Sequence, residues 1–314
     1  MRVLFWGTPE FALPSLEALL GEGHEVVGVV TQPDRPAGRG RALQAPPVKR
    51  VAEEEGIPVL QPERARGPEF EAQVRALEPE LSVVVAYGQI LKREILDLPP
   101  RGSINVHASL LPELRGAAPI NWAIIRGHEV TGITVMRMVE RMDAGPVILQ
   151  VREPILPDES ASDLASRLSE LGAQALVEAL ALIEAGEARE VEQDESRATY
   201  APRLEREDAR IDWGLGAEEV SRWIRGLDEV PGGWSTVRER EVKVYRPLPM
   251  PDWEHDAEPG TVLRAEANDP TAGVLVACGR GAVWVREVKP AGKRRMTASE
   301  WVRGRGVAIG DRFV

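Results

Sequence analysis

The sequence predicts an α/β protein: a Rossmann-like, mostly parallel sheet followed by a smaller, OB-like β-barrel. Three observations predict it. Through the first two-thirds of the 314 residues, apolar runs rich in valine and isoleucine alternate with segments of helical spacing. That is the pattern of strand–helix–strand units whose sheet is covered on both faces. Periodicity then lapses across residues 187–208, and beyond them brief strand-length runs are split by glycine and proline, as in small barrels. The length also exceeds one usual domain. We expect a first domain at 1–186, a linker at 187–208 and a C-terminal barrel at 209–314.

Arg2–Thr8, Glu25–Thr31, Leu81–Tyr87 and Ser103–His107 read as buried strands, separated by helical spacing at Phe11–Leu20, Pro47–Glu55 and Glu69–Leu77. Pro119 suits the first turn of a helix running to Arg126. Thr131–Met138 and Val147–Ile155 are two further strands. A long helix follows from about Ser160 to Ala185, opened by the capping pattern Ser160-Ala-Ser-Asp163 and closed by Gly186. In the last third, Ala217–Leu227 is a short amphipathic helix. The strand candidates there are Trp234–Arg238, Val242–Arg246, Gly260–Leu263, Val274–Ala277 and Val283–Val288.

With 43% hydrophobic and 28% charged residues the chain has material for a sizeable core. No stretch approaches the roughly 20 apolar residues a membrane span needs. Met1-Arg-Val-Leu-Phe-Trp-Gly7 is too short an apolar run for a secretory signal and reads as an immediate first strand. The single cysteine, Cys278, supplies neither an intramolecular disulfide nor a cysteine cluster for zinc. A cytoplasmic enzyme with no metal, no membrane association and no obligatory protein partner is the expectation. The net charge of −11 is unevenly spread. Residues 1–202 carry 20 basic and 31 acidic side chains, whereas 203–314 carry 19 of each, and 280–314 alone has nine basic and three acidic. The segment 34–50 has five basic against one acidic. Two local basic stretches on an acidic chain suit contact with a phosphate backbone better than bulk coating of nucleic acid.

The chemistry-bearing residues begin with Asn105 and His107 in Ser103-Ile-Asn-Val-His-Ala-Ser-Leu-Leu-Pro112. Side chains at i and i+2 of a strand share a face, so these two point one way while Ile104 and Val106 pack the other. Asn105 offers amide donors to an oxyanion forming on a carbonyl, and His107 can stabilise that oxyanion or shuttle a proton. A strand histidine alone is more often packed than catalytic, and an aspartate in Met142-Asp-Ala-Gly145 alone is a turn residue. Together with Asn105 they make an amide, an imidazole and a carboxylate, the parts needed to move an activated acyl group onto an amine. Gly7-Thr-Pro9 closes the first strand where a dinucleotide-binding protein places its glycine fingerprint, but Pro9 and Ala12 occupy the glycine positions, which argues against a nicotinamide oxidoreductase. The loop Gln32–Gln44, with three arginines among glycines and prolines, reads as an exposed cationic arm.

Gly7-Thr-Pro-Glu-Phe11, Thr31-Gln-Pro-Asp-Arg-Pro-Ala-Gly-Arg-Gly40, Val84–Leu91, Asn105–Pro112, Arg115-Gly-Ala-Ala-Pro-Ile120, Asp143-Ala-Gly145 and Ala209-Arg-Ile-Asp-Trp213 extend over nearly the whole chain. In them the sequence resembles the methionyl-tRNA formyltransferases, within the wider family of 10-formyltetrahydrofolate-dependent formyltransferases. The resemblance implies the formyltransferase fold and a catalytic trio of Asn105, His107 and Asp143. It implies folate contacts at Tyr87, Gly88, Gln89, Ile90 and Leu91, at Ser109, Leu110, Leu111 and Pro112, and at Val139, Glu140 and Met142. It also implies contact with methionyl-initiator tRNA through Phe11, Arg35, Arg39, Arg41, Lys289, Lys293, Arg294 and Arg295, and a place in translation initiation. Ala108 stands where that pattern leads one to expect glycine, and Arg141-Met142 before the aspartate is atypical. The nearest alternative keeps the chemistry and changes the acceptor to a small amine, an aminosugar nucleotide or a glycinamide ribotide. A non-catalytic RNA-binding module leaves the Asn105, His107 and Asp143 grouping unexplained.

Overall fold

The computed structural model of the chain describes residues 1–37, 42–269 and 271–314. They form two compact units, one of Met1–Pro119, Val130–Pro154 and Ala165–Pro202, the other of Ile120–Glu129, Ile155–Leu164 and Arg203–Val314. Among the described residues no helix is long and apolar enough to cross a membrane.

In the first unit, β1 (Arg2–Gly7), β2 (Glu25–Val30), β5 (Val59–Leu60), β6 (Leu81–Val85), β7 (Ser103–His107), β8 (Val130–Arg137) and β9 (Val147–Pro154) form one sheet, ordered β5-β2-β1-β6-β7-β8-β9. The first five are parallel, while β8 runs antiparallel to β7 and β9 antiparallel to β8. Both faces of β1 and β6 are buried, which is why they read as unbroken apolar runs rather than alternating ones. The remaining strands, β3 (Arg35–Ala37) and β4 (Ala42–Gln44), pair antiparallel as a separate two-stranded sheet within the segment expected to be a cationic arm. Arg39 and Arg41 lie outside the described residues.

Helices α1 (Leu13–Gly21), α2 (Pro47–Glu54), α3 (Pro68–Ala76) and α4 (Arg93–Leu96) connect the strands, and α5 (Pro119–Ile125) leaves the loop after β7. Proline stands in the first turn of α1, α2 and α3, where its missing N–H costs nothing. The long α6 (Ala161–Ala185) is capped as expected, with Ser160 Oγ accepting from the Asp163 N–H at 3.3 Å and Asp163 Oδ2 from the Ser160 N–H at 3.1 Å. The chain steps from β1 outward to β2 and β5, then returns across β1 to β6. The point where strand order reverses therefore lies at the carboxyl ends of β1 and β6, where open α/β sheets hold ligands.

The second unit is antiparallel. Strands β10 (Trp234–Val237), β11 (Arg240–Met250), β12 (Val262–Ala265), β13 (Val274–Ala277), β14 (Ala282–Pro290) and β15 (Met296–Thr297) follow α7 (Ala217–Leu227), and α8 (Ala298–Arg303) comes last. The order is β10-β11-β14-β13-β12 with β15 on β14. Its two edges are joined by the C-terminal residues: Phe313 N–H donates to the Gly260 carbonyl at 2.8 Å, and Val314 and Thr236 exchange two hydrogen bonds of 2.9 Å. Trp213, Phe313, Trp301 and a set of valines fill the interior. The expected strand Val242–Arg246 lies inside the longer β11, which starts at Arg240 and continues through Pro247 and Pro249. Those prolines are tolerated because β10 covers β11 only as far as Lys243, leaving one side without a ladder to interrupt.

Candidate active site

Asn105 and His107 sit at the carboxyl end of β7, between Val84 of β6 and Met136 and Thr134 of β8. Ile104 and Val106 are buried on the opposite face. His107 is only 6% exposed, and its Nε2 lies 3.0 Å from the Leu114 carbonyl oxygen. A carbonyl only accepts, so Nε2 carries the hydrogen and Nδ1 is the ring atom left for proton exchange. Nδ1 faces Asp143 Oδ2 at 3.7 Å, an ion-pair distance for a protonated ring and too long for a hydrogen bond. The Asn105 carboxamide is half-buried, and among the described residues nothing hydrogen-bonds it.

Two loops deliver the groups around the imidazole. The first follows β7. The Thr134 hydroxyl donates to the Ser109 carbonyl at 2.7 Å and accepts from Leu111 N–H at 3.1 Å. Gln150 Nε2 donates to the Leu111 carbonyl at 2.7 Å, and the Ser109 hydroxyl to the Glu113 carbonyl at 2.6 Å. Leu114 itself lies at φ +60°, a costly conformation for a branched side chain, and it is the residue whose carbonyl meets His107. The second loop joins β8 to β9. Asp143 sits at φ +52°, and Gly145 passes so close to β8 that a Cβ there would overlap the Arg137 carbonyl oxygen. Asp143 Oδ2 accepts from the Gly116 N–H at 2.7 Å, which ties the loops together.

Sequence reasoning passes over the groups beneath this junction. Arg115 is 1% exposed, and its guanidinium donates to Gln193 Oε1 at 2.7 and 3.1 Å and to both carboxylate oxygens of Glu195 at 2.9 and 3.1 Å. The hydrogen bonds between Arg115 and Glu195 raise the Arg115 pKa and hold the Glu195 carboxyl below the usual carboxylate range, so the pair is charged at neutral pH. Gln193 Nε2 in turn donates to the Asp143 and Gly145 carbonyls at 2.9 and 2.8 Å. Gln193 lies in an aperiodic, charged stretch, and the one signal that could have found it is the buried arginine, which needs acceptors from somewhere.

The residues implied for folate divide into two groups. Ile90 (68% exposed), Val139 (42%) and Met142 (49%) present apolar side chains to solvent, Glu140 is exposed, and Gly88 at φ +91° leaves its backbone open. Tyr87, Leu91, Leu111 and Pro112 are buried, and Leu110 is half-buried. The Tyr87 ring packs edge-on against Trp6 at 5.2 Å, and burial pushes its phenol pKa up. The Gln89 amide is spent on Ala65 N–H and the Glu63 carbonyl. Of the residues implied for tRNA, Phe11 is half-buried and Arg35 exposed, donating to Gln32 Oε1 at 3.3 Å. Lys289, Lys293 and Arg294 are exposed, and Arg295 is half-buried. Among the described residues no group of three or more His, Cys, Asp or Glu is arranged to hold a metal.

An unengaged carboxamide beside an imidazole that faces a carboxylate supplies an oxyanion donor and a proton-exchanging ring, the parts that acyl transfer to an amine uses. Residues 1–180 match the formyl transferase family, and 203–306 match its C-terminal domain. The chain belongs to the formyltransferase family. It is 50% identical to methionyl-tRNA formyltransferase of Symbiobacterium thermophilum, covering 100% of this chain and 95% of that one. It is 46% identical to methionyl-tRNA formyltransferase of Bacillus subtilis, covering 99% and 96%. Among solved structures, HypX from Aquifex aeolicus in complex with tetrahydrofolic acid shares the fold, with a TM-score of 0.67 at 20% identity; 96% of this chain aligns with 47% of that one. Family membership makes the chain an enzyme that transfers formyl groups from formyl-tetrahydrofolate.

Proposed function

We propose that this chain moves the formyl group of 10-formyltetrahydrofolate onto the α-amino group of methionyl-initiator tRNA. The observation that carries the reading is His107 with Nε2 committed to the Leu114 carbonyl and Nδ1 turned to the Asp143 carboxylate, on the strand face that also carries the unengaged Asn105 carboxamide. Two relatives named for that reaction, 50% and 46% identical over nearly their whole lengths, support the acceptor.

The neutral methionyl amine adds to the formyl carbon, forming a C–N bond and placing charge on the formyl oxygen. Asn105 Nδ2 donates to that oxyanion, and a protonated His107 adds its charge through Nδ1; an oxyanion-hole donor contributes about 3–4 kcal/mol. Collapse breaks the bond from carbon to N10. The amine gives up one proton and N10 gains one, with Asp143 orienting His107 in the transfer. The exposed apolar side chains of Ile90, Val139 and Met142 suit the walls that a flat pterin and its benzoyl extension require. The catalytic domain is read as 1–186, the connecting segment as 187–208 and the tRNA-binding barrel as 209–314. Arg39 and the basic residues from Lys289 to Arg295 are its phosphate contacts, and the cytoplasm is its place of action.

The test is transfer of labelled formyl from 10-formyltetrahydrofolate, with methionyl-initiator tRNA and an aminosugar nucleotide offered in separate reactions. Formylated methionyl-tRNA is the expected product. Transfer to the sugar amine alone would reassign the acceptor, and release of labelled formate without transfer would make the enzyme a hydrolase.

A further inference from the structure

We infer that Gln193 is a positioning residue for the reaction, setting the Asp143 carboxylate against His107. The inference rests on the reading of Asn105, His107 and Asp143 as the catalytic groups. Its basis is a chain of hydrogen bonds that leaves the Gln193 amide no freedom. Oε1 accepts from Arg115 Nη2 at 2.7 Å and from Nε at 3.1 Å. Nε2 donates to the carbonyls of Asp143 at 2.9 Å and Gly145 at 2.8 Å. The orientation of the amide is chemically forced, since a guanidinium only donates and a carbonyl only accepts.

The backbone around it brings the amide to this place. Val191 exchanges hydrogen bonds of 2.8 and 2.9 Å with Val147, just past the loop carrying Asp143. Further along the chain, Arg115 N–H donates to the Thr199 carbonyl at 2.9 Å and Ala201 N–H to the Arg115 carbonyl at 2.7 Å. The segment 191–201 is thus pinned at one end to the Asp143 loop and at the other to the loop holding Leu114 and Gly116, with Gln193 bridging the two. Asp143 needs such a bridge. Its backbone sits at φ +52°, an unfavourable state that persists only when neighbours hold it. His107 is held to the first loop through Leu114, while the Asp143 backbone belongs to the second and its carboxylate accepts from Gly116 N–H, so sliding one loop over the other strains that bond and changes the 3.7 Å separation.

The experiment is a double-mutant cycle on full-length enzyme with methionyl-tRNA and 10-formyltetrahydrofolate, using Gln193→Leu, Asp143→Asn and the pair. Gln193→Leu removes both halves of the bridge. Gln193→Glu keeps the acceptors for Arg115 and replaces the two N–H donors by an oxygen facing two carbonyls, so it carries the test if the leucine variant folds poorly. Either change should lower kcat by up to about 100-fold, as small misplacements of catalytic groups do, with KM for both substrates within about twofold. In the Asp143→Asn background the further loss should fall to about twofold or less, because the bridge acts through that carboxylate. Full turnover by Gln193→Glu, or an undiminished further loss in the Asp143→Asn background, would overturn the inference and leave the catalytic reading standing. Full turnover by Asp143→Asn would overturn both.

Discussion

The junction at His107 and the basic stretch from Lys289 to Arg295 hold their charges in opposite ways. Around His107 the polar groups are bound to one another: Asp143 to Gly116, Arg115 to Gln193 and Glu195, Gln193 to two carbonyls. On the barrel the four basic residues divide. Arg295 is spent on Glu229 and Glu287 and lies over the Tyr245 ring at 4.0 Å, and Arg294 donates to Glu300 at 3.1 Å. Lys289 and Lys293 are exposed and make no ion pair among the described residues. A tally of charges along the chain cannot see this division. Catalytic geometry fails as a unit when one member is removed, whereas surface cations add small, separable terms that salt screens.

The sharpest break comes from Asn105→Ala and His107→Ala. Each should lower kcat by about 100- to 1,000-fold or more. Asn105→Ala should leave the thermal midpoint nearly unchanged, since its carboxamide makes no hydrogen bond among the described residues, while His107→Ala should also cost about 1–3 kcal/mol because the buried Leu114 carbonyl loses its donor. Steady-state turnover beside a melting curve checks it, and near-native turnover of either variant would sink the assignment.

Arg115→Met is next, and here stability and activity should fall together. The substitution keeps volume and leaves the Gln193 oxygen without its donor, a loss of about 1–3 kcal/mol. Urea unfolding at pH 7 should show it as a lower midpoint. The sign of its pH dependence follows from Glu195. A carboxyl depressed in the folded state contributes stability above its unfolded pKa, and that contribution disappears as pH falls through the folded value. The gap between Arg115→Met and wild type should therefore narrow toward acid pH, and a gap that widens there would mean the ion pair is not its source.

What is legible in the sequence is local. The strand Ser103–His107 is readable to the residue, because a buried run ending in a polar loop has one reading, and the i, i+2 rule puts Asn105 and His107 on one face. The two-residue strand β5 carries no pattern long enough to detect. Helix α8 is announced by Thr297-Ala-Ser-Glu300, a capping box whose bonds are both formed, but six residues are too few to show a period. The Arg115, Gln193 and Glu195 cluster joins residues about eighty apart across an aperiodic segment. No local rule marks such a pairing. In the sequence Arg115 stands out only as the flank of a run of small residues, although burying an arginine is costly enough that its partners must be built elsewhere in the chain.

The smallest expected effect tests the other side of the comparison. Lys289→Ala and Lys293→Ala together remove two exposed cations that no acid among the described residues engages. If they meet the phosphate backbone, the Kd for initiator tRNA should rise several-fold at low salt. The slope of log K against log salt should become shallower by about one for each phosphate these lysines neutralise. Turnover at saturating tRNA should not change, because neither residue belongs to the unit containing His107. Arg294→Ala and Arg295→Ala are the paired controls. Their cations already face Glu300, Glu229 and Glu287, so removing them exposes acids as well as deleting bases, and Arg295→Ala also strips the Tyr245 ring of its cover. Those variants should lose stability along with affinity, while the lysine pair loses affinity alone. Equal salt slopes for wild type and the lysine pair would move the tRNA interface off this face of the barrel.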